Sequence, residues 1–206
     1  ASSDIGLTLL ERAGSTTLND DQRAIISDLR KDHDRLVRIV GELLDMAQVE
    51  TGHIRLHVGK ARVEEIVQSA VEAVRSTAQR KQIFFDLRPG SEDQEILTDA
   101  DKAVWVLVNL LSNAVRHSPD KGVVSVTSAL SEGQVSITVT DQGPGVPAHQ
   151  RPVIFDRFAQ GSDPEGTGLG LSIARDFMRG MGGAILLENT AGGASFTIRF
   201  PAADPS

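Results

Sequence analysis

Asn109 and Asn113 stand four residues apart in a stretch otherwise rich in valine and leucine. On a helix that spacing puts both amides on one face. Carboxamide oxygens are hard, neutral ligands suited to Mg²⁺, which keeps several waters and takes the rest of its shell from phosphates. The plainer alternative is one capping asparagine and one solvated one. Arg116 comes near the same face a turn later, where a guanidinium can meet a terminal phosphate. Asp141 closes an alternating run. A carboxylate fixed at a strand end accepts from an exocyclic amine such as that of adenine. Gly143 and Gly145 then let the backbone turn tightly against a ligand. Gly166-Thr167-Gly168-Leu169-Gly170 precedes an amphipathic stretch over 171–181, so the free N–H groups and dipole of a helix start, Leu171 included, can face phosphate oxygens. Read alone, that loop is equally a flexible linker. Taken in order, amides for a metal, a carboxylate for a base edge and glycines for phosphates describe a nucleotide site.

Two other phosphate motifs are weighed against this reading. The glycine loop has no lysine after its third glycine, so it is not G-x-x-x-x-G-K-[ST]. Gly143-Pro144-Gly145-Val146-Pro147-Ala148 fits the dinucleotide pattern G-x-G-x-x-A. Pro144 and Pro147, however, remove N–H groups that a pyrophosphate-binding helix start needs. No parallel βαβ continuation follows, and the dinucleotide reading is rejected. Phe155 and Phe158 flank a small polar segment, residues 159–165 (AQGSDPE). They either clamp its base or serve as core aromatics.

The elements that must position these residues can be read from periodicity. Asn19 or Asp20 can cap a helix running from about 20 to 50. Its apolar residues Ile25, Leu29, Leu36, Ile39, Leu43 and Met46 recur in steps of three and four, interrupted at Asp32. Such a helix spans ~45 Å, and its narrow stripe predicts an antiparallel hairpin buried in a bundle or dimer. Residues 1–13 read as the tail of the preceding helix, and Gly14 breaks it. After Gly52, Ile54, Leu56 and Val58 alternate as a strand. Residues 63–74 show a helical face, 83–87 a strand, and 101–117 the helix that carries the asparagines. Val123–Ala129 and Val135–Thr140 form a hairpin around Ser131-Glu132-Gly133; a helix after Gly170 and strands near 184–188 and 195–200 follow. Strands and helices intermixed with hairpins predict an α+β fold: a mixed, mostly antiparallel sheet with helices on one face.

Composition narrows the classes. The 28 acidic residues against 21 basic give a formal charge of −7, which argues against nucleic acid as a partner. The absence of cysteine excludes disulfides and thiolate chemistry. No apolar run approaches the ~18 residues of a membrane span. The chain lacks an initiating Met and opens inside a helical pattern, so it is expected to be a fragment. Its location is expected to be cytoplasmic, with a membrane anchor open to the parent protein.

The segments NLLSNAVRHSP, DQGPGV, FDRF, GTGLGL and Gly192-Gly193-Ala194-Ser195-Phe196 resemble, in order and spacing, the N, G1, F, G2 and G3 boxes of sensor histidine kinases. LVRIVGELLDMAQVETG resembles the second helix of their dimerisation and phosphotransfer domain. The resemblance covers essentially the whole chain. It implies ATP and Mg²⁺ as cofactors, with Asn113 holding the metal and Asn109 nearby. It implies that Arg116 and His117 approach the phosphates, that Asp141 reads the adenine amine, and that Gly166–Leu171 close over the triphosphate. It further implies a response-regulator receiver domain as partner and a homodimer through the helical hairpin. Domain boundaries are expected at 1–51 for the truncated hairpin and 52–206 for the ATP-binding domain.

Three departures from the family pattern matter. None of the five histidines has the His-Glu/Asp-x-x-Thr/Asn-Pro context of a phosphoacceptor. His33 reads as a helix-surface residue, and the acceptor is expected just before residue 1. Residues 159–165 contain no Lys or Arg, unlike many relatives. Trp105 stands one turn before Asn109, where related gyrase, chaperone and mismatch-repair ATPases place a water-activating Glu. Without that base, phosphoryl transfer to a protein imidazole is favoured over hydrolysis. An autonomous ATPase of the same superfamily and a non-catalytic interaction module are the alternatives.

Overall fold

Asn19 shows how the first helix begins. Its side-chain oxygen accepts from the Gln22 N–H at 2.8 Å, and the Gln22 side chain accepts from the Asn19 N–H at 3.0 Å. This reciprocal capping box satisfies two donors at a helix start. In the computed structural model, which describes residues 19–50, 56–88, 90, 94–159, 167–190 and 192–203, helix α1 runs Asp20–Glu50 over 31 residues. Ile25, Leu29, Leu36, Val40 and Leu43 lie along it with 47–62% of their surface exposed. The hairpin's first helix, the break at Gly14, Gly52 and Ile54 fall outside the described residues. The chain divides into two compact units, 1–47 and 48–206.

The second unit is α+β, as its sequence pattern predicts. It runs β1 (Gly59–Arg62), α2 (Val63–Arg80), β2 (Phe84–Arg88), β3 (Glu95–Thr98), α3 (Ala100–His117), β4 (Val123–Ser131), β5 (Gln134–Thr140), α4 (Gly170–Gly180), β6 (Ala184–Thr190) and β7 (Gly193–Pro201). Five strands form one sheet in the order β2-β4-β5-β7-β6, and β1 pairs with β3 in a second, small sheet. Among the described residues only β2 and β4 pair in parallel; the other ladders are antiparallel.

Alternation decides which face of the large sheet is covered. On β5, Val135, Ile137 and Val139 are at most 1% exposed. The residues between them carry hydroxyls, and Thr138–Thr197 and Thr140–Ser195 pair across to β7 at 2.9 and 3.0 Å. The apolar face meets the helices. Val106, Leu107, Leu110, Leu111 and Val115 of α3 are wholly buried, a spacing of three and four that makes one continuous stripe. Each large aliphatic side chain buried this way contributes about 1.5–3 kcal/mol. The β4–β5 turn has Glu132 at φ 52° and Gly133 at φ 71°, the paired left-handed residues of a tight hairpin.

Two expectations need correction. Leu56 and Val58 are not in a strand; β1 begins at Gly59 and carries the polar sequence GKAR. Strand β3, EILT, was not foreseen. The two strands define each other, with Ala61 opposite Ile96, and a pairing across 35 residues has no local periodicity to announce it.

Candidate nucleotide site

Helix α3 is fixed at its start by Asp99, whose side chain accepts from the Lys102 N–H at 3.1 Å and the His57 N–H at 2.8 Å. Its buried stripe then sets the rotation of the helix and brings Asn109 and Asn113 out half-buried on one side. The Asn109 amide donates to the Trp105 carbonyl at 3.0 Å, which leaves its oxygen as an acceptor. The Asn113 oxygen accepts from the Arg116 guanidinium at 2.8 Å. His117, at the end of the helix, is exposed. The two amide oxygens are of the hard kind that a divalent cation keeping most of its water shell accepts, that of Asn113 being shared with Arg116.

Asp141 follows β5 and is 7% exposed. Its Oδ1 accepts from the Gly143 N–H at 2.8 Å and the Ala194 N–H at 3.1 Å. Both bonds fall on one oxygen, so Oδ2 is left to accept from a ligand. The buttress needs two glycines. A Cβ on Gly193 would lie 2.0 Å from the Asp141 carbonyl oxygen, and one on Gly143 would lie 2.7 Å from the carbonyl oxygen of His117. The second contact also brings the turn after Asp141 against the end of α3. Gly145 takes φ 70°, a conformation that favours glycine.

Among the described residues, the start of α4 has no side-chain cap: Leu169 occupies the cap position and makes no such bond, in contrast to Asp99 at the start of α3. Thr167 Oγ1 accepts from the Leu169 N–H at 3.3 Å, a local turn that leads the chain into the helix. Gly168 takes φ 72°, and a Cβ there would lie 2.7 Å from the backbone of Phe158. An uncapped helix start presents N–H donors and positive potential. Gly170 and Leu171 form its first turn. Gly166 lies outside the described residues, as do 160–165 of the small polar segment.

The two helices are oriented by three contacts. The Thr98 hydroxyl meets the Met181 sulfur at 3.0 Å, the Lys102 ammonium sits 4.5 Å over the Phe177 ring, and Trp105 packs edge-on to Phe177 at 5.2 Å. Contacts that descend α4 as they climb α3 mean that the helices run antiparallel. The open start of α4 therefore faces the half of α3 that carries Asn109 and Asn113. Trp105 is committed to this packing.

The two phenylalanines differ. Phe155 packs edge-on to Phe196 at 6.4 Å, with the Arg175 guanidinium 5.9 Å from its ring centroid. Phe158 is 62% exposed at φ 60°, and its backbone lies close against Gly168. Phe155 is half-buried against Phe196, and Phe158 is exposed. The G3-box resemblance marks Gly193 and Ala194, but nothing in the sequence tells that they buttress Asp141, because they act through backbone atoms more than 50 residues away, the Ala194 N–H being 53 residues from Asp141.

Residues 98–204 match the family model described as histidine kinase-, DNA gyrase B-, and HSP90-like ATPase. That is more than half of the chain. The chain belongs to this family. It is 36% identical over 177 residues to hybrid signal transduction histidine kinase D of Dictyostelium discoideum, a match covering 81% of this chain and 11% of that protein. It is 32% identical over 194 residues to the sensor protein DivL of Caulobacter vibrioides, covering 94% and 25%. Among solved structures, full-length ShkA in complex with AMPPNP is similar with a TM-score of 0.76 at 30% identity, covering 96% of this chain and 42% of that one. The chain thus spans between about a tenth and a quarter of the length of these curated relatives. Within the family it is a sensor histidine kinase catalytic ATP-binding domain. No helix among the described residues is long and apolar enough to cross a membrane.

Proposed function

We propose that this chain binds Mg²⁺–ATP and, in its parent protein, delivers the γ-phosphoryl group to a histidine outside residues 1–206, from which an aspartate of a response-regulator receiver domain takes it. The observation that carries the reading is the convergence on one side of α3 of three unlike groups: the Asn109–Asn113 amides, the open start of α4, and Asp141 with its Oδ2 to spare. Asp141 would accept the adenine amine. Arg116, His117 and the N–H groups of residues 167–171 would hold the phosphates, with Phe155 and Phe158 at the base of the segment that closes over them. Asn113 and Asn109 would hold Mg²⁺, whose charge would offset that of the phosphate oxygens when bound. The chain's contribution is then positioning and charge neutralisation.

Residues 1–51 are read as part of the dimerisation and phosphotransfer hairpin, and 52–206 as the catalytic domain. The exposed apolar stripe of α1 supports burial against a second copy in the parent. Trp105, packed on Phe177, supplies no base to activate water, which favours transfer over hydrolysis. The setting is the cytoplasm, where ATP is available, with the membrane anchor left to the parent.

Calorimetry of the chain with ATP tests this reading. Binding is expected in Mg²⁺, weakened about tenfold or more in chelator and in Asn113→Ala, with no label transferred from γ-labelled ATP onto the chain. Absence of Mg²⁺-dependent binding would refute the reading in favour of a non-catalytic module. Steady phosphate release that survives Trp105→Ala would favour an autonomous ATPase.

A further inference from the structure

Lys81, just beyond α2, takes no part in the reading above, yet its side chain reaches the most sensitive end of α3. Its ammonium donates to the carbonyl oxygens of Val115 at 3.0 Å, Arg116 at 2.8 Å and Ser118 at 2.6 Å. Its own carbonyl accepts from the Lys121 N–H at 2.9 Å, so Lys81 bonds both the end of the helix and the segment after it. The last carbonyls of a helix have no partner within it and gather roughly half a negative charge. An ammonium has three donors and no acceptor, and here each finds a carbonyl.

The same turn carries Asn113, Arg116 and His117. The His117 carbonyl abuts Gly143, which is bonded in turn to Asp141. A polyanion held beside these residues meets the negative end of α3. We propose that Lys81 is a positioning residue for the phosphate end of the nucleotide site: it cancels the field of those carbonyls and fixes the helix end at which the triphosphate is held. This rests on the ATP reading. The role needs an ammonium. A guanidinium keeps the charge but spreads its donors in a plane, which cannot converge on three carbonyls arranged about one point.

The test compares ligands with and without phosphates. Affinities of the chain for Mg²⁺–ATP, by calorimetry, and for adenosine, by NMR titration, are measured for the unaltered chain, Lys81→Met and Lys81→Arg. Lys81→Met is expected to weaken Mg²⁺–ATP about tenfold, the size of a favourable charge–helix-end interaction together with its hydrogen bonds. Adenosine affinity should change less than about twofold. Lys81→Arg should fall between, at about threefold for ATP, and it carries the same comparison should Lys81→Met fail to fold. A general loss of packing would weaken both ligands in proportion. That outcome, or an ATP affinity unchanged in both variants, overturns the role of Lys81 and leaves the ATP reading standing. Failure of the unaltered chain to bind Mg²⁺–ATP removes the ATP reading and this inference with it.

Discussion

Replacing Asp141 with asparagine changes one atom's chemistry at a position whose geometry dictates the outcome. The side chain is 7% exposed and Oδ1 already accepts from the N–H groups of Gly143 and Ala194. In Asp141→Asn the amide oxygen must take that place, because its NH₂ would otherwise face two donors. The NH₂ group then stands where Oδ2 stood, aimed at the ligand. For ATP this sets donor against donor, at the loss of a hydrogen bond to a charged group, about 1.5–3 kcal/mol. At 1.4 kcal/mol per tenfold, Kd should rise roughly 10- to 150-fold. Inosine triphosphate has a carbonyl in place of the exocyclic amine, so the same substitution should tighten its binding. The fold keeps both backbone bonds, and thermal unfolding should move little. Competition calorimetry with the two nucleotides reads the result directly. Equal weakening of both, or an ATP affinity within twofold of the original, would refute the assignment of Asp141 to the base edge.

Two further substitutions test the frame around the site. Gly193→Ala puts a methyl 2.0 Å from the Asp141 carbonyl oxygen; overpacking of this kind costs about 1–3 kcal/mol. At about 2–4 °C per kcal/mol, the melting temperature should fall by about 2–12 °C. Gly192→Ala, with nothing within 4 Å of the new methyl, serves as the control in the same thermal scan and should leave it in place. Arg175→Met removes the cation over Phe155 and the 3.8 Å ion pair to Asp156. The pair is partly exposed and the ring contact modest, so together they are worth about 1–1.5 kcal/mol. Hydrogen exchange at the Val153 and Asp156 N–H groups should speed up about 5- to 12-fold, while the buried N–H of Ile173 in α4 stays protected.

The parts of this protein legible in its sequence are those set by local repetition. A four-residue spacing placed Asn109 and Asn113 on one face of α3, alternation marked β4 and β5, and polar residues before an apolar stripe marked Asn19 or Asp20 as a cap, of which Asn19 makes the bonds. The illegible parts are held by atoms far apart in the chain. Strands β1 and β3 are four residues each, too short to show a period, and they exist because each completes the other's hydrogen bonds. The parallel pairing of β2 with β4 is of the same kind: Phe84 lies opposite Val123, and nothing near Phe84 names that neighbour. The alternation of Leu56 and Val58 marks no strand: Val58 is 51% exposed, and the ladder begins at Gly59, opposite Thr98.

A similar division runs through the site itself. Residues that would touch the nucleotide are distinctive by type, since amides, a carboxylate and glycines in an apolar setting stand out. The groups that hold them in place are ordinary by type and act through the backbone. Lys81 binds three carbonyls across 34–37 residues, Ala194 supports Asp141 across 53, and Gly193 matters only for the side chain it lacks. Backbone carbonyls, and N–H groups outside proline, are the same in every residue, so their partners leave little pattern in composition or spacing. What they do leave is rigidity where charge must be placed: the end of α3 is bonded by Lys81 at the carbonyls of Val115, Arg116 and Ser118 and lies close against Gly143 at that of His117, in the residues just after Asn113. A site that works by positioning needs those ties as much as it needs its ligands. Substitutions at Lys81 and Gly193 are therefore expected to reach the nucleotide through geometry, in advance of any contact with it.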